Sequence, residues 1–334
     1  MSPVAPRAAQ TAHLSDSLRA VDAAGARPRH YLSVADLAPE AILTLLDRAL
    51  ELKRFPASAD AARPLAGKTA ALVFQKPSLR TRVSFEVAML ELGGHAVYLS
   101  PAEIQLGQRE GVVDAARVLS RYVDVIIARV FEHADVVGLA NHATVSVINA
   151  LSDREHPCQI LADLLTLYER RGSLRGLRLA YVGDGNNIAS SLALAAPALG
   201  IDLRFACPDG YEPDPLILDQ ANAAATRESG AIELFREPRQ AVHGADAVYT
   251  DTWYSMGQES EAEIRAPLFR RYQLNADLLQ HAAPGAIAMH CLPAHRGQEI
   301  TDEVMDGPAS VVYDQAENRL HVQKALLLRL LGRD

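Results

Sequence analysis

Two periodicities take turns along the chain. Short apolar runs such as Thr69–Phe74 (TAALVF) read as buried strands, while apolar residues three and four apart read as helices. Helical spacing first appears over Ala35–Phe55, where Ile42, Leu45, Leu46 and Leu50 share a face. It returns after Phe74, with Val83, Val87 and Leu90 on one side of a helix that stops at Gly93–Gly94. Strands are expected at Ala70–Phe74, Ala96–Leu99, Val123–Ala128 and Val145–Asn149. The rhythm repeats at Arg178–Val182, Asp202–Ala206, Ala247–Thr250, Ala286–His290 and Ser310–Tyr313. Such alternation predicts an α/β protein with parallel sheets and helices on both faces. Ile160–Tyr168, ending near Gly172, reads as a helix joining two halves, and Ala316–Leu331 as a final helix apolar enough to pack on another domain. The expected division is a flexible arm at 1–28, a domain at 29–155, the linking helix at 156–172, a second domain at 173–314 and a C-terminal helix at 315–334.

Composition narrows the function classes. A chain of 334 residues is long enough for two cores. A net charge of −8 argues against nonspecific binding to nucleic acid or an acidic membrane, although one pocket can still be basic. No apolar stretch approaches the ~20 residues a membrane helix needs. Cys158, Cys207 and Cys291 are odd in number and far apart, with no secretory signal before them, so free thiols in the cytoplasm are expected. The arm is rich in Ala, Pro and Ser and mixes Arg7 and Arg19 with Asp16 and Asp22, which weakens a transit-peptide reading.

The candidate chemistry starts at Phe74–Glu86 (FQKPSLRTRVSFE). Ser78 is a good N-cap, so Ser78, Arg80, Thr81 and Arg82 crowd a helix N-terminus that already carries partial positive charge. Guanidiniums at such a place make sense around a multiply charged anion, and phosphate is the natural one. The plainer alternative is a surface ion pair such as Arg82 with Glu86. Further candidates follow predicted strand ends, where open α/β sheets bind ligands. They are Arg129, the His156-Pro157-Cys158-Gln159 helix start, the Gly183–Asn187 turn, Asp251, and Cys291 after His290. Gly183-x-Gly185 faintly suggests a dinucleotide site, but Ile188 stands where a third glycine belongs. The cysteines and histidines lack zinc-like spacing, so no metal is expected.

In order, the blocks 78–82 (SLRTR), 156–159 (HPCQ), 181–187, 251–257 (DTWYSMG) and 290–293 (HCLP) resemble the aspartate/ornithine carbamoyltransferase family, over roughly residues 30–333. The resemblance implies two parallel-sheet α/β domains, one for carbamoyl phosphate and a Rossmann-like one for ornithine, with the last helix returning to the first. It implies transfer of a carbamoyl group from carbamoyl phosphate to L-ornithine, giving L-citrulline and phosphate, with no cofactor. Carbamoyl phosphate is then held by Ser78, Leu79, Arg80, Thr81, Arg82, Arg129, His156, Gln159, Cys291, Leu292 and Arg319. Gln105 is offered by a neighbouring subunit of a homotrimer. Asn187, Asp251, Ser255 and Met256 meet ornithine, and Arg129, His156, Cys291 and Asp251 are the catalytic set. Leu79 replaces a threonine common in the family, leaving only its backbone N–H, and Tyr254 is bulkier than the pattern. The alternatives are a sister enzyme using putrescine or an acylated ornithine, a nucleotide-dependent oxidoreductase, and a catalytically silent relative.

Overall fold

The computed structural model describes residues 30–55, 63–254 and 259–333. The expected arm, Ser255 and Met256 lie outside the described residues. The first sheet holds β1 (Thr69–Phe74), β2 (His95–Leu99), β3 (Val125–Arg129) and β4 (Ser146–Leu151) in the order β2-β1-β3-β4, all parallel. The second holds β5 (Arg178–Val182), β6 (Asp202–Ala206), β7 (Ile232–Phe235), β8 (Ala247–Thr250) and β9 (Ile287–His290) in the order β7-β6-β5-β8-β9, also parallel. This is the two-sheet α/β architecture expected from the alternation.

Alternate residues of each central strand feed opposite faces, as the pleat requires. Leu72 and Phe74 of β1 join Leu179 and Tyr181 of β5 in one large core, through Leu164 and Leu165 between them. Ala71 and Val73 face one satellite core, and Ala180 and Val182 the other. The linking helix, Pro157–Arg171, is buried on every side from Pro157 to Leu167. The C-terminal helix, Val312–Leu330, packs against it and returns to Pro39–Arg54 and Leu79–Glu91 in the first half. Lys324 secures that return by an ion pair to Glu91 at 2.7 Å.

Four expectations shift. Ala35–Phe55 divides into a Ser33-capped turn at Val34–Asp36 and a helix from Pro39, because Pro39 lacks an N–H and starts a new helix. On Leu79–Glu91 the buried face is Thr81, Phe85, Ala88 and Met89, while Val83 and Leu90 are exposed. Ser310–Tyr313 is not a strand: Ser310 makes a lone bridge to Ala288 and the helix begins at Val312. Finally, β7 has no counterpart in the sequence pattern, being a half-exposed edge strand.

Each sheet has a point where the strand order reverses. The chain leaves β1 for β2 on one side and β3 on the other, and leaves β5 for β6 on one side and β8 on the other. Crevices at the carboxyl ends of such strand pairs are where open α/β sheets take ligands. Here the two crevices form a single cleft.

Candidate active site

A cavity of about 350 Å³ lies between the sheets, lined by groups from both reversal points. On the first-sheet side, β1 ends at Phe74 and the chain turns through Lys76 and Pro77 into Ser78. Ser78 caps the next helix, its Oγ accepting from the Thr81 N–H at 3.3 Å. Ser78, Leu79 and Arg80 line the cavity. Residues two apart on a helix point ~200° apart, so Arg82 cannot share the direction of Arg80. It pairs with Glu86 at 3.0 Å and lies 3.9 Å over the Tyr98 ring, the plainer arrangement weighed from sequence. Thr81 is fully buried and its hydroxyl oxygen accepts from Arg319 Nη2 at 2.7 Å.

Arg129 ends β3, where the register with β4 shifts, and enters the cavity almost fully buried. Burial and the nearby Arg319 and Arg80 push it down to about 9. Arg319 falls to about 10 through burial and Arg80, and Lys76 to about 8 through burial and Arg129. Among the described residues, no carboxylate forms an ion pair with Lys76, Arg80, Arg129 or Arg319. Among the described residues, the buried Nε atoms of Arg129 and Arg319 and Nδ1 of His156 find no hydrogen-bond partner. His156 starts the linking helix without capping it through its side chain. Burial, then the surrounding cations, keep its ring neutral. Such a place calls for a ligand carrying both negative charge and acceptor oxygens.

The second-sheet side supplies a different chemistry. Asp251 follows β8 and Cys291 follows β9, and the thiol donates to Asp251 Oδ1 at 3.0 Å. Asn186 Nδ2 donates to the other oxygen at 2.8 Å, while Asn186 Oδ1 caps the helix Asn187–Ala195. Asn187 lines the cavity and donates to the Ser152 carbonyl at 2.7 Å. Burial, then Asp251, hold the Cys291 thiol well above its ordinary value, so it carries a proton. Leu292 takes a left-handed backbone at φ 61° and its N–H donates to His290 Nδ1 at 2.8 Å. His290 Nε2 faces Glu299 at 3.1 Å. Donor atoms of Asp251, His290 and Cys291 lie within 4.8 Å of one another, and these bonds already engage both carboxylate oxygens of Asp251 and both ring nitrogens of His290.

Gly185 has a structural cause. A Cβ there would meet the backbone of Glu212 and Pro213 at 2.2 Å. Protein fills the space above the second glycine of the turn, which removes the basis for a dinucleotide cradle.

Of the expected residues, Gln159 lies behind the cavity and donates to Asp163 at 2.8 Å. Gln105 is exposed, at φ 43° on a loop away from the cavity of this chain. Lys76, Asn186, Tyr254 and His295 were absent from the expected set. Lys76 sits within the FQKPSLRTR stretch, and Asn186 carries an N-cap signal, so both had a readable sign. Tyr254 and His295, both lining the cavity, stack at 5.2 Å from separate loops, a pairing with no sequence signature.

Comparison with known proteins gives the family. Residues 29–169 match the model of the aspartate/ornithine carbamoyltransferase carbamoyl-P binding domain, and 175–330 that of the Asp/Orn binding domain. The ornithine carbamoyltransferase of Pyrococcus abyssi is 54% identical over 304 residues, covering 91% of this chain and 96% of the relative. The solved ornithine carbamoyltransferase of Pyrococcus furiosus has a TM-score of 0.88 at 53% identity, over 92% of this chain and 98% of that one. A solved N-acetyl-L-ornithine transcarbamylase variant complexed with PALAO scores 0.82 at 33% identity, over 90% of this chain and 99% of that one. The chain belongs to the aspartate/ornithine carbamoyltransferase family.

Proposed function

We propose that the protein transfers the carbamoyl group of carbamoyl phosphate to the δ-amine of L-ornithine, giving L-citrulline and phosphate. The observation that carries this reading is the set of four cations, without a carboxylate partner among the described residues, at one end of a cleft whose other end offers Asp251, Asn187 and a protonated Cys291. Ser78, Arg80, Arg319 and the first N–H groups of helix Leu79–Glu91 grip the phosphate. Arg129, His156 and the Thr81 hydroxyl face the carbamoyl oxygen and stabilise the charge that develops on it. Asp251 and Asn187 take the amino-acid end of ornithine. The δ-amine is largely protonated in water, with pKa ~10.4, and the cationic cleft favours its neutral form. Its N–H groups are oriented by the Cys291 sulfur, itself held by Asp251. The amine attacks the carbonyl carbon, the bond to the phosphate oxygen breaks, and the departing phosphate takes the amine's surplus proton. No covalent enzyme intermediate forms.

The proposed assembly is a homotrimer. Helix Leu79–Glu91 packs on β2, and Leu79, Val83, Leu90 and Val97 of these adjoining elements stay exposed, which supports a subunit contact near Gln105. The proposed division keeps 29–155 for carbamoyl phosphate and 173–314 for ornithine, with 156–172 and 315–334 as connecting helices. The site is proposed to include Gln105 from the neighbour, with Leu292 beside carbamoyl phosphate, Gln159 supporting it from behind, and Ser255 and Met256 around ornithine, while Arg82 stays with Glu86 outside it. Among the described residues no helix is long and apolar enough to cross a membrane. A cytoplasmic place is proposed, together with a biosynthetic direction like that of the P. furiosus relative named anabolic.

A colorimetric ureido assay with carbamoyl phosphate tests the reading. Ornithine is expected to give product at least ~10²-fold faster than putrescine or N-acetylornithine, because a buried polar pocket rejects analogues that leave its groups unpaired. Equal or preferred use of either rival amine overturns the substrate assignment, and no product from any amine overturns the reaction.

A further inference from the structure

The proposed donor is an acyl phosphate, and any neutral amine held beside it competes with the substrate for its acyl group. The chain has four lysines, Lys53, Lys68, Lys76 and Lys324. Three are occupied elsewhere: Lys53 pairs with Glu169 at 3.0 Å, Lys68 with Asp124 at 2.7 Å and Lys324 with Glu91 at 2.7 Å. None of those three lines the cavity.

Lys76 differs on both counts. It lines the cavity, and its Nζ lies 5.1 Å from the centre of the Phe131 ring, with no carboxylate in ion-pair contact among the described residues. Arg129 bears on it from the end of β3, Asp153 from the turn after β4 and His156 from the start of the linking helix. Burial, then Arg129, pull its amine down to about 8, so on the order of a tenth is neutral at pH 7. An aromatic face and a buried guanidinium therefore hold a potential nucleophile where the donor is expected to sit.

We propose that Lys76 is a self-modification site: with carbamoyl phosphate bound and no amino-acid acceptor present, its amine takes the carbamoyl group. Neutral Nζ adds to the carbonyl carbon and the bond from that carbon to the phosphate oxygen breaks. The surplus proton on nitrogen leaves with the phosphate. One nitrogen–carbon bond replaces one oxygen–carbon bond, so the step needs no oxidant, reductant or further reactant. Groups that polarise the carbonyl for ornithine polarise it equally for Lys76. The bound dianion favours the charged lysine while it stays, which keeps this path slow beside transfer to ornithine. The product is an uncharged urea. It leaves three cations in the cleft where there were four, and so weakens the grip on the next phosphate.

The test incubates the protein with carbamoyl phosphate alone and follows peptide mass together with residual ornithine activity. Lys76 is expected to gain one carbamoyl group at least about tenfold faster than Lys53, Lys68 or Lys324, with activity falling in step. Inorganic phosphate, which fills the same grip, is expected to slow labelling at Lys76 and leave the other three unchanged. Carbamoyl phosphate also releases cyanate on standing, and cyanate carbamoylates free amines from solution. A parallel incubation with cyanate, at the level reached in the first, is expected to label Lys76 at about a tenth of the rate or less. Lys76→Arg keeps the charge but not the nucleophile, and is expected to hold its own starting activity throughout.

Equal labelling of the four lysines overturns the proposal, as does cyanate matching the carbamoyl phosphate rate. Labelling that ignores phosphate also overturns it, because the donor then reacts from solution. So does Lys76→Arg losing activity at the wild-type pace. The wild-type labelling pattern decides the matter even if that variant fails to fold. The proposal rests on the carbamoyl-transfer reading, which the ornithine assay reports separately. An enzyme that makes citrulline while Lys76 stays unlabelled overturns this inference alone, whereas the absence of citrulline overturns both.

Discussion

Arg80, Arg129, Arg319 and Lys76 are partly or wholly desolvated in one cleft, where their like charges oppose one another. Arg80→Ala should therefore raise the urea midpoint of the ligand-free protein at 25 °C. It should also abolish the further rise that carbamoyl phosphate gives the wild type, about 2.7 kcal/mol at a hundredfold excess over Kd. Its turnover should fall by ~10²–10³. A wild-type midpoint that ignores carbamoyl phosphate contradicts the cationic grip. Lys76 provides a pH signature. Its folded value near 8 lies below the unfolded ~10.4, so the unfolded chain holds the proton longer. Stability should rise between those values in wild type relative to Lys76→Met, and added carbamoyl phosphate should flatten the difference. A flat difference without ligand rules the idea out. At this scale the sequence went far: Ser78 as a cap was visible locally, as was the arginine-rich helix start behind the proposed phosphate grip. It could not separate Arg80 from Arg82, because only the helix's orientation against β1 decides which arginine faces inward. The absence of carboxylate partners for the four cations is likewise a property of three dimensions.

Among the elements, the long periodic helices and central strands were readable because burial on one or both faces stamps a period on them. β7 was not, since an edge strand with half-exposed Ile232 and Phe235 leaves little pattern. Ser310–Tyr313 misled for a related reason. Its apolar residues serve the first turn of a helix, not a strand. Glu155 shows how separate elements are tied near the site. Its Oε2 accepts from the Val34 N–H at 3.2 Å and from the Ser191 hydroxyl at 3.3 Å, joining the entry turn to helix Asn187–Ala195. Burial lifts this acid to about 7. The folded value exceeds the unfolded ~4.3, so stability falls as pH rises between them. Glu155→Gln should accordingly gain on wild type from pH ~4 to ~7 and then plateau, at a benefit on the order of 3–4 kcal/mol. Urea titrations at four pH values check this. A gain that is constant with pH speaks for packing instead.

For the molecule as a whole, one core spans both sheets by way of the linking and C-terminal helices. Leu326, fully buried on the last helix, belongs to that core. Leu326→Ala should cost about 2–5 kcal/mol and keep a single calorimetric transition. Two separated transitions would show that the halves melt independently. The C-terminal helix was foreseen, but its return to the first half came only from family resemblance, because an apolar face does not name its partner.

The bond from Arg319 to Thr81 joins residues 238 positions apart in the chain. During synthesis, a ribosome must therefore deliver the chain as far as the last helix before the proposed phosphate cradle acquires its final guanidinium. A nascent chain stalled earlier displays the signature loop yet lacks this residue, so competence waits for the last helix.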